Sequence, residues 1–381
     1  MHIIRIFPIQ HNFDIKGWMI VVTKRVLHFQ GRMGKGGAES FMMNMYRNID
    51  REKIQFDFLI YDDYENVQDY HEEIGRLGGR IFVVTNPKKN ILKYLYEVNK
   101  LLKKEQFDIA HNEVYFGGGI NLWLAKKNKI KIRIAHSHAT EDGKGNSVLL
   151  GLLRKYLHRL LIKNATDFIA VSKEAGESLF GNQNYVIVNN GVDFSKYDFS
   201  DEEITAKKKE LGLKKDDVII GNIGRMEEQK NQLFLLDIFN AVHEKNHHAK
   251  LMLIGDGSLR NKILNKIVQL KLTDDVLYLG ERNDIPALLS VMDIFLLPSL
   301  YEGLPMVGIE AQVSGKKMVF SDTISRDIEL TPNTHFVSLN DPLTKWADII
   351  LEKPYDNEQT SKLAEFDVSN TVKQMEKIYL R

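Results

Sequence analysis

The sequence contains no cysteine, and this absence narrows the chemistry that the chain can perform. Disulfide bonds, thiolate nucleophiles and cysteine-ligated metal sites are all excluded. The same absence fits a reducing compartment, so we expect a cytoplasmic protein. Long apolar runs are missing as well, since no run approaches the roughly 18 residues that a membrane-spanning helix needs.

A charge excess is also missing, because the formal net charge of the 381 residues is only +1. The charge is unevenly distributed, however: residues 1–190 carry 28 Lys/Arg against 20 Asp/Glu, and the remainder carries 24 against 31. An acidic C-terminal half argues against a nucleic-acid surface along the chain, which would need a continuous basic stripe. The length exceeds what one hydrophobic core usually supports and therefore predicts two domains.

The first 18 residues lack the apolar core of a signal peptide, because Arg5, Asp14 and Lys16 interrupt them. We interpret residues 1–20 as an extension that precedes the fold, with Met19 as an alternative start of the protein.

Short apolar runs alternate with helical patterns along the rest of the chain. In the first half, strands are predicted at Val21–Phe29, Phe56–Tyr61, Arg80–Val84, Ile109–His111, Ile132–His136, Phe168–Ser172 and Val186–Val188. In the second half, they are predicted at Val218–Ile223, Lys250–Ile254, Val276–Leu279, Asp293–Leu297 and Met318–Ser321. The helices predicted between and after them include Ile91–Lys104, Lys207–Lys215 and Ser369–Tyr379. This alternation indicates two parallel, doubly wound sheets, connected through the turn at Asn189–Asp193.

The segment from Pro298 to Gln312 carries two carboxylates, Glu302 and Glu310, just beyond a predicted buried strand. Its pattern predicts an exit loop and then a helix that begins at Pro305 and ends at Gly315. Ligands bind outside the carboxyl ends of strands in open α/β sheets, and a helix start offers free N–H groups to an anion. Alternatively, the two glutamates only stabilise the helix start and cover a solvated face.

The whole segment resembles the Glu-x7-Glu signature of the retaining GT-B glycosyltransferases of family 4, in particular bacterial enzymes that build capsule and exopolysaccharide. The resemblance implies that Glu302 is a catalytic residue at the transferred sugar and that Glu310 contacts the ribose of a nucleotide. It also implies that Gly303, Leu304 and Met306 bind the substrate.

A glycine-rich loop, residues 31–37, follows the first predicted strand and precedes a helical pattern. Glycines let the backbone approach a phosphate closely and leave helix N–H groups pointing at it. The spacing is neither that of a P-loop nor that of a dinucleotide-binding loop, so a structural turn is the simpler interpretation. Family 4 enzymes have a similar Gly-Gly-Ala-Glu, which implies that Gly36 and Gly37 bind the donor near its phosphates.

The string from His136 to Thr140 reads His-Ser-His-Ala-Thr and stands at a predicted strand end. His-x-His can be a metal pair, but no third ligand of matching spacing is evident nearby, so we predict no metal site. Such histidines are often only polar loop residues. The family's similar His-Ser-His-Asn-Thr instead implies that His138 is catalytic and bonds a sugar hydroxyl. The preceding strand end departs from the family, because His111-Asn-Glu113 replaces the usual His-x-His.

Arg225 and Lys230 follow the predicted strand at Val218–Ile223. Charged residues of this kind usually lie on a solvated surface. At a strand end and before a helix, they also suit a diphosphate, with Arg as a planar fork and Lys as a point charge. The spacing resembles the family's Gly-Arg with a Lys five residues later, which implies that both residues bind the diphosphate of the donor.

The segment Ser147–Lys163 predicts an amphipathic helix with its leucines on one broad face. Its cations include Arg154, Lys155 and Arg159, and the excess positive charge of residues 1–190 is the sign that an anionic membrane attracts. The leucines are therefore either core residues beside a solvated basic rim or part of a surface that contacts the inner face of the plasma membrane.

The resemblance covers the chain from Lys24 onward and includes four motifs in the family's order. It implies a GT-B fold, in which two Rossmann-like, doubly wound α/β domains face a cleft and the C-terminal helix crosses back to the N-terminal domain. We assign residues 21–190 to the acceptor domain, 191–365 to the nucleotide-sugar domain and 366–381 to the returning helix.

The implied function is retaining, metal-independent transfer of a hexose-type sugar from an NDP-sugar to a glycan or lipid-linked acceptor in cell-surface polysaccharide synthesis. UDP is the expected nucleotide, and no cofactor and no nucleic-acid partner are expected. A nucleotide-sugar epimerase of the same fold and a non-catalytic nucleotide-sugar-binding subunit remain as alternatives. Whether nucleotide release requires an acceptor distinguishes the transferase from the epimerase.

Overall fold

The computed structural model describes residues 3–4, 23–34, 36–138, 148–355 and 360–381, without the side chains of residues 3, 4 and 148–150. Several predicted features therefore lie outside the described residues: most of the extension at 1–20, Val21 in the first strand, Lys35 in the glycine loop, Thr140 and the helix start at Ser147. The chain divides into two compact units. Unit 1 comprises Met1–Gly191 and Val368–Arg381, and unit 2 comprises Val192–Asp367.

The described part of unit 1 contains a parallel sheet with one antiparallel edge strand. Its strands are β1 (Ile3–Ile4), β2 (Lys24–Gly31), β3 (Ile54–Tyr61), β4 (Arg80–Val84), β5 (Ile109–Asn112), β6 (Ile132–Ser137), β7 (Asp167–Ala170) and β8 (Val186–Ile187). They are ordered β1-β4-β3-β2-β5-β6-β7-β8, and only β1 runs antiparallel to its neighbour. Two residues of the predicted extension therefore belong to the sheet.

Helices cover both faces of the unit 1 sheet, because the strands alternate apolar side chains between two cores. These helices are α1 (Gly37–Asn48), α2 (His71–Arg76), α3 (Ile91–Lys104), α4 (Gly118–Lys127), α5 (Val148–Asn164) and α6 (Lys173–Phe180). In β2, Val26 packs in the core beneath α1, whereas Leu27 packs in the opposite core with residues of α3 and α4. This doubly wound arrangement confirms the predicted fold class.

Unit 2 contains a second, fully parallel sheet. Its strands are β9 (Val218–Ile223), β10 (Ala249–Ile254), β11 (Val276–Gly280), β12 (Ile294–Leu297), β13 (Lys317–Ser321) and β14 (Thr334–Val337), in the order β11-β10-β9-β12-β13-β14. Its helices are α7 (Asp201–Glu210), α8 (Gln232–Lys245), α9 (Arg260–Gln269), α10 (Ile285–Val291), α11 (Met306–Val313), α12 (Leu343–Leu351) and α13 (Ser361–Ala364). The strand order reverses between β9 and β12, where ligands of doubly wound sheets bind.

The last helix, α14 (Val368–Tyr379), belongs to unit 1 although it follows unit 2 in the chain. Its buried side chains, which include Val372, Met375 and Tyr379, join the core that α1 also covers. The predicted return of the C-terminal helix is therefore confirmed.

The predicted charged helix at Lys207–Lys215 was misplaced, because α7 spans Asp201–Glu210. Ser200 caps this helix: its hydroxyl accepts from the Glu203 N–H, and the Glu203 carboxylate accepts from the Ser200 N–H. None of its side chains is buried, so the sequence has no apolar periodicity from which the ends of the helix could be predicted. Pro305, predicted as a first helical residue, is the residue immediately before α11.

Among the described residues, no helix combines the length and the apolar character needed to cross a membrane.

Candidate active site

The chain leaves β9 and β12 at the same edge of the unit 2 sheet, because these two strands pair in parallel. Hydrogen bonds that involve the backbone join the segments that follow them. The Leu300 N–H donates to the carbonyl of Gln229 at 2.8 Å, and the Asn231 side-chain amide donates to the carbonyl of Pro298 at 3.1 Å. Two segments that are distant in sequence are thereby held side by side.

An ion pair connects these two segments through predicted site residues. The Lys230 ammonium donates to Glu302 Oε1 at 2.5 Å, and the Ser299 hydroxyl donates to the same oxygen at 3.2 Å. The side chains of Lys230 and Glu302 are only 14% and 11% exposed, so water screens the pair less than a surface ion pair. The structure thus brings together two predicted residues that are 72 positions apart.

Glu310 lies in a different electrostatic environment, on α11. Burial raises the pKa of its carboxyl to about 7, although a hydrogen bond from the Tyr197 hydroxyl acts in the opposite direction. Burial, together with Glu310, also raises the pKa of Tyr197, so this side chain stays a neutral donor. Two carboxylates of one short segment therefore differ, since Glu302 is paired with a cation and Glu310 is held by a phenol.

The loops that follow β9 and β10 pack backbone against backbone. Gly255 has a φ of +129°, and a Cβ atom there would lie 2.1 Å from the carbonyl oxygen of Gly224, so any larger residue would displace the loop. The Met226 N–H also donates to the carbonyl of Asp256 at 2.9 Å. Arg225 stands on this fixed loop with its side chain exposed.

The three residues predicted around the first glutamate have different environments. Gly303 is exposed, and an added Cβ would meet nothing within 4 Å. Leu304 and Met306 are partly buried and pack against the core of unit 2. These two residues therefore help to anchor the Glu302 loop, whatever they contribute to a ligand.

The two predicted glycines of unit 1 stand at the start of α1. A Cβ on Gly36 would lie 2.3 Å from the carboxylate of Glu39, whereas one on Gly37 would meet nothing within 4 Å. Glu39 is buried and accepts from Arg32 Nε at 2.9 Å. Only Gly36 therefore has a local steric reason to be glycine.

The predicted histidine, His138, belongs to a cluster on the face of the unit 1 sheet that α1 and α14 cover. Its other members are His28 on β2, His111 at the end of β5, Glu113 and His136. Residues two apart in a strand share a face, and His28 is the direct register partner of His111. Three neighbouring strands therefore direct these five side chains to one place.

The carboxylate of Glu113 is fully buried and approaches all four imidazoles. Its Oε1 lies 2.9 Å from His28 Nδ1 and 3.3 Å from His111 Nε2. Its Oε2 lies 2.6 Å from His138 Nε2 and 3.2 Å from His136 Nδ1. A carboxylate has about four acceptor positions. His111 Nε2 also lies 3.1 Å from His136 Nδ1, however, so these two nitrogens share one proton.

Burial and the mutual contacts of the cluster shift the pKa values of Glu113, His111 and His136. Burial alone would raise the pKa of the Glu113 carboxyl, but the surrounding histidines hold it well below its usual range. Burial lowers the pKa of His111 well below its ordinary value, and burial and the neighbouring His138 lower the pKa of His136 to about 4. At neutral pH Glu113 is therefore ionised, and His111 and His136 are neutral.

Two groups in this cluster have the spacing of a metal site, His28–His111–Glu113 and Glu113–His136–His138. Glu113 is the third ligand that sequence spacing did not reveal. A ligating histidine almost always donates its second ring N–H to an acceptor. Among the described residues, however, Nε2 of His28 and Nε2 of His136 are buried without a partner. Protons on Nδ1, donated to Glu113, therefore satisfy these rings better than a cation would.

Sequence reasoning missed the importance of Glu113 and Tyr197. The spacing of two residues in His111-x-Glu113 and His136-x-His138 was an available signal, because it places each pair on one face of a strand. Tyr197 lies in a 3-10 turn at Phe194–Tyr197, and nothing in its sequence context connects it with Glu310.

Comparison with known proteins gives two matches to family models. Residues 35–196 match the model described as Glycosyltransferase Family 4, and residues 217–352 match the model described as Glycosyl transferases group 1. The first match covers most of unit 1 and ends five residues into unit 2, and the second falls within unit 2.

Curated relatives match over most of the chain. EpsF of Bacillus subtilis (strain 168), named provisionally as a glycosyltransferase, is 35% identical over 86% of this chain and 87% of its own length. An Escherichia coli protein, UDP-Gal:alpha-D-GlcNAc-diphosphoundecaprenol alpha-1,3-galactosyltransferase, is 30% identical over 78% and 79%. The capsular polysaccharide biosynthesis glycosyltransferase CapH of Staphylococcus aureus is 25% identical over 93% and 98%.

Solved structures share the fold at lower identity. HepE of Anabaena in complex with UDP has a TM-score of 0.73 and 19% identity over 93% of this chain and 99% of its own. A glycosyltransferase from Rickettsia africae has a TM-score of 0.73 and 17% identity over 94% and 98%. Three findings agree on the family of this chain. They are the two doubly wound units, the two matches to glycosyltransferase family models, and the relatives that align along most of the chain. This chain belongs to the family 4 glycosyltransferases and has the GT-B fold.

Proposed function

We propose that this glycosyltransferase moves a hexose-type sugar from a UDP-sugar to a lipid-linked glycan acceptor, with retention at the anomeric carbon and without a metal ion. The observation that carries the proposal is the Lys230–Glu302 pair at the point where the strand order of unit 2 reverses. It puts a cation, which donates hydrogen bonds, and a carboxylate, which accepts them, where a nucleotide sugar would bind.

The choice of donor and acceptor draws on the relatives. The E. coli relative is named for transfer from UDP-Gal to a diphosphoundecaprenol-linked sugar, and the HepE structures contain UDP, UDP and glucose, or UDP-glucose. CapH and a Vi polysaccharide biosynthesis protein of Salmonella typhi are named for polysaccharide synthesis. A role in cell-surface polysaccharide synthesis is the simplest account that fits these names.

In this proposal, Arg225 and Lys230 bind the diphosphate and oppose the charge that grows on it as the sugar departs. Such an effect accelerates the reaction only if it is stronger in the transition state than in the ground state. Two fixed cations supply what a divalent ion would otherwise supply. Among the described residues, the groups with metal-like spacing all lie in unit 1.

The two glutamates would then contact different parts of the donor. Glu302, neutralised by Lys230, acts at the transferred sugar, and Glu310 accepts hydrogen bonds from the ribose hydroxyls. The catalytic His138 bonds a sugar hydroxyl, and Gly36 and Gly37 leave room for the donor phosphates at the start of α1.

The first prediction concerns the reaction itself. Purified protein, incubated with a panel of UDP-sugars in EDTA, should release UDP only when a polyprenyl-diphosphate-linked GlcNAc is added. NMR of the product should show the anomeric configuration of the donor. Release of UDP or isomerisation of the donor sugar without an acceptor would favour the epimerase, and donor binding without turnover would favour a binding subunit. Activity lost in EDTA and restored by Mg²⁺ would contradict metal independence.

The second prediction separates the two glutamates. Glu310→Gln should weaken UDP binding by roughly tenfold or more, since hydrogen bonds to a charged group contribute about 1.5–3 kcal/mol. Glu302→Gln should leave the Kd of UDP nearly unchanged and lower kcat by about a hundredfold or more. Calorimetry and steady-state kinetics give the two quantities, and equal losses of UDP affinity in both variants would contradict the division.

The same pair of variants tests the ionisation of Glu310. Its pKa of about 7 means that the carboxylate form grows as pH rises from 6 to 8, so UDP should bind more tightly across this range. The gain is at most about tenfold per pH unit below the pKa. Glu302→Gln should keep this dependence. Glu310→Gln should remove it and leave only the part due to the phosphate of UDP.

The third prediction concerns the diphosphate. Arg225→Ala should weaken UDP roughly tenfold or more and UMP much less, because only the second phosphate is expected to face the guanidinium. Arg225 is a cleaner test than Lys230, whose removal would also leave Glu302 unpaired. Lys262→Ala, an exposed cation on α9, serves as the matched control. Equal weakening of UMP and UDP would refute the assignment.

We further propose that unit 1 associates reversibly with an anionic membrane. The leucines on α5 divide between the two alternatives that the sequence left open. Leu161 is buried, but Leu152, Leu153 and Tyr156 are 62%, 51% and 63% exposed. Apolar and aromatic groups that alternate with cations on an exposed helix are typical of interfacial contact. On α4, which packs closely against α5, Trp123 is also exposed, with the ammonium of Lys127 5.4 Å from its ring.

The fourth prediction tests this surface with vesicles. The protein should sediment with phosphatidylglycerol-containing vesicles at low salt, should be released at high salt, and should stay in solution with phosphatidylcholine alone. The double variant Leu152→Ser/Tyr156→Ser should weaken the partition at least about tenfold, because each inserted apolar side chain contributes about 1.5–3 kcal/mol.

The control is Val268→Ser, which removes an equally exposed apolar residue from α9 of unit 2 and should change nothing. Equal recovery in the supernatant with both kinds of vesicle would exclude direct membrane binding by this chain.

A further inference from the structure

The position of the proton on His138 follows from its contact with Glu113. His138 Nε2 lies 2.6 Å from Glu113 Oε2, and Glu113 is ionised. Two lone pairs cannot approach this closely without strong repulsion, so Nε2 must carry the hydrogen and donate it.

The remaining contacts of Glu113 keep its carboxylate from turning away. His28 and His136 each place Nδ1 within hydrogen-bond range of one carboxylate oxygen, and neither has another described partner on Nε2. Both rings therefore donate from Nδ1. His111 completes the set, with Nδ1 2.7 Å from the hydroxyl of Tyr379. The carboxylate is thus held by groups from three strands, and the orientation of His138 is fixed in turn.

The second nitrogen of His138 has a different situation. With the proton on Nε2, Nδ1 carries a lone pair, and no hydrogen bond between described residues occupies it. His138 is the one member of the cluster with an exposed fraction, 11% of its side chain. Its Nδ1 is therefore an acceptor at the rim of a network that is otherwise closed.

We propose that Glu113 is a positioning residue, which locks His138 as the Nε2–H tautomer and so makes Nδ1 an acceptor for a sugar hydroxyl of the substrate. The geometry assigns the tautomer, and the choice of a sugar hydroxyl rests on the proposed function.

The isosteric change Glu113→Gln reverses this preference. A glutamine offers one acceptor oxygen and one donating NH₂ group where the carboxylate offers two acceptor oxygens. An amide N–H that faces His138 would donate to Nε2. The ring would then carry its proton on Nδ1. The group that faces the substrate would change from an acceptor to a donor.

Long-range ¹H–¹⁵N correlation NMR of the full chain with labelled histidines reads the tautomer directly, without a substrate. The signal of His138, identified by its loss in His138→Gln, should show a protonated Nε2 and an unprotonated Nδ1. In Glu113→Gln the protonated nitrogen should change to Nδ1. A wild-type Nδ1–H, an imidazolium, or stoichiometric zinc bound at Nε2 would overturn the assignment.

Steady-state kinetics test whether the tautomer matters for the reaction. The assay measures UDP release in the presence of the polyprenyl-linked acceptor, with the UDP-sugar that the wild-type protein uses. Glu113→Gln and His138→Gln should each lower kcat/KM by about a hundredfold or more. The double variant should be no worse than either single variant, because the two residues act as one unit. Multiplied losses in the double variant would show that Glu113 acts independently of His138 and would overturn the proposal.

Tyr379→Phe is the control for a structural effect. It removes the hydroxyl that contacts His111 on the far side of the network, so it should lower the melting temperature while kcat/KM stays within about threefold. If it reduced kcat/KM as much as Glu113→Gln at a similar loss of stability, the role of Glu113 would be structural only. A protein that shows the expected tautomer but turns over no nucleotide sugar would refute the proposed function and leave the tautomer assignment standing.

Discussion

Parallel strand pairing is the constraint on which the site in unit 2 depends. Parallel neighbours end at the same edge, so the segments after β9, β10 and β12 emerge together whatever their sequence separation. The close approach of Gly255 to Gly224 and the bonds between residues 229–231 and 298–300 then fix these segments to one another. Only after this backbone framework is in place can Lys230 reach Glu302. The ion pair is a result of the topology and not its cause.

Three carboxylates of this chain show three ways to keep an acidic group away from bulk water. Glu302 is paired with an ammonium, Glu310 rests against a phenol and has a raised pKa, and Glu113 stays ionised because the surrounding histidines lower its pKa. Removing a charge from water costs several kcal/mol unless such partners are present. The three carboxylates therefore differ in character. Glu302 is a paired charge, Glu310 titrates near neutrality, and Glu113 is a fixed anion that orients its neighbours.

The sequence predicted twelve of the fourteen described strands, because most of them are short apolar runs of the kind that a buried parallel sheet requires. It missed β1, which lies in the predicted extension, and β14, which has only four residues, Thr334–Val337. Helix α7 was displaced because its side chains stay in water, and its start depends on the Ser200 cap instead of on periodicity. The order of the strands was not readable: β9 has β12 as a neighbour and not β11, so the contact of Lys230 with Glu302 could be expected only by resemblance. Glu113 was noticed as a departure from the family pattern, but its four partners come from three strands whose adjacency the sequence does not state.

The helix α14 has a consequence for the biosynthesis of the protein. Its buried residues, from Val368 to Tyr379, complete the core of unit 1, yet they leave the ribosome only after the whole of unit 2 has been translated. At about 5–20 residues per second, this delay is on the order of ten seconds or more. During that time one face of the nascent sheet is covered by α1 without α14, and His111 lacks the hydroxyl of Tyr379. The unit that begins the chain is the last to be finished, so a nascent chain that stops early yields an N-terminal unit with an open core.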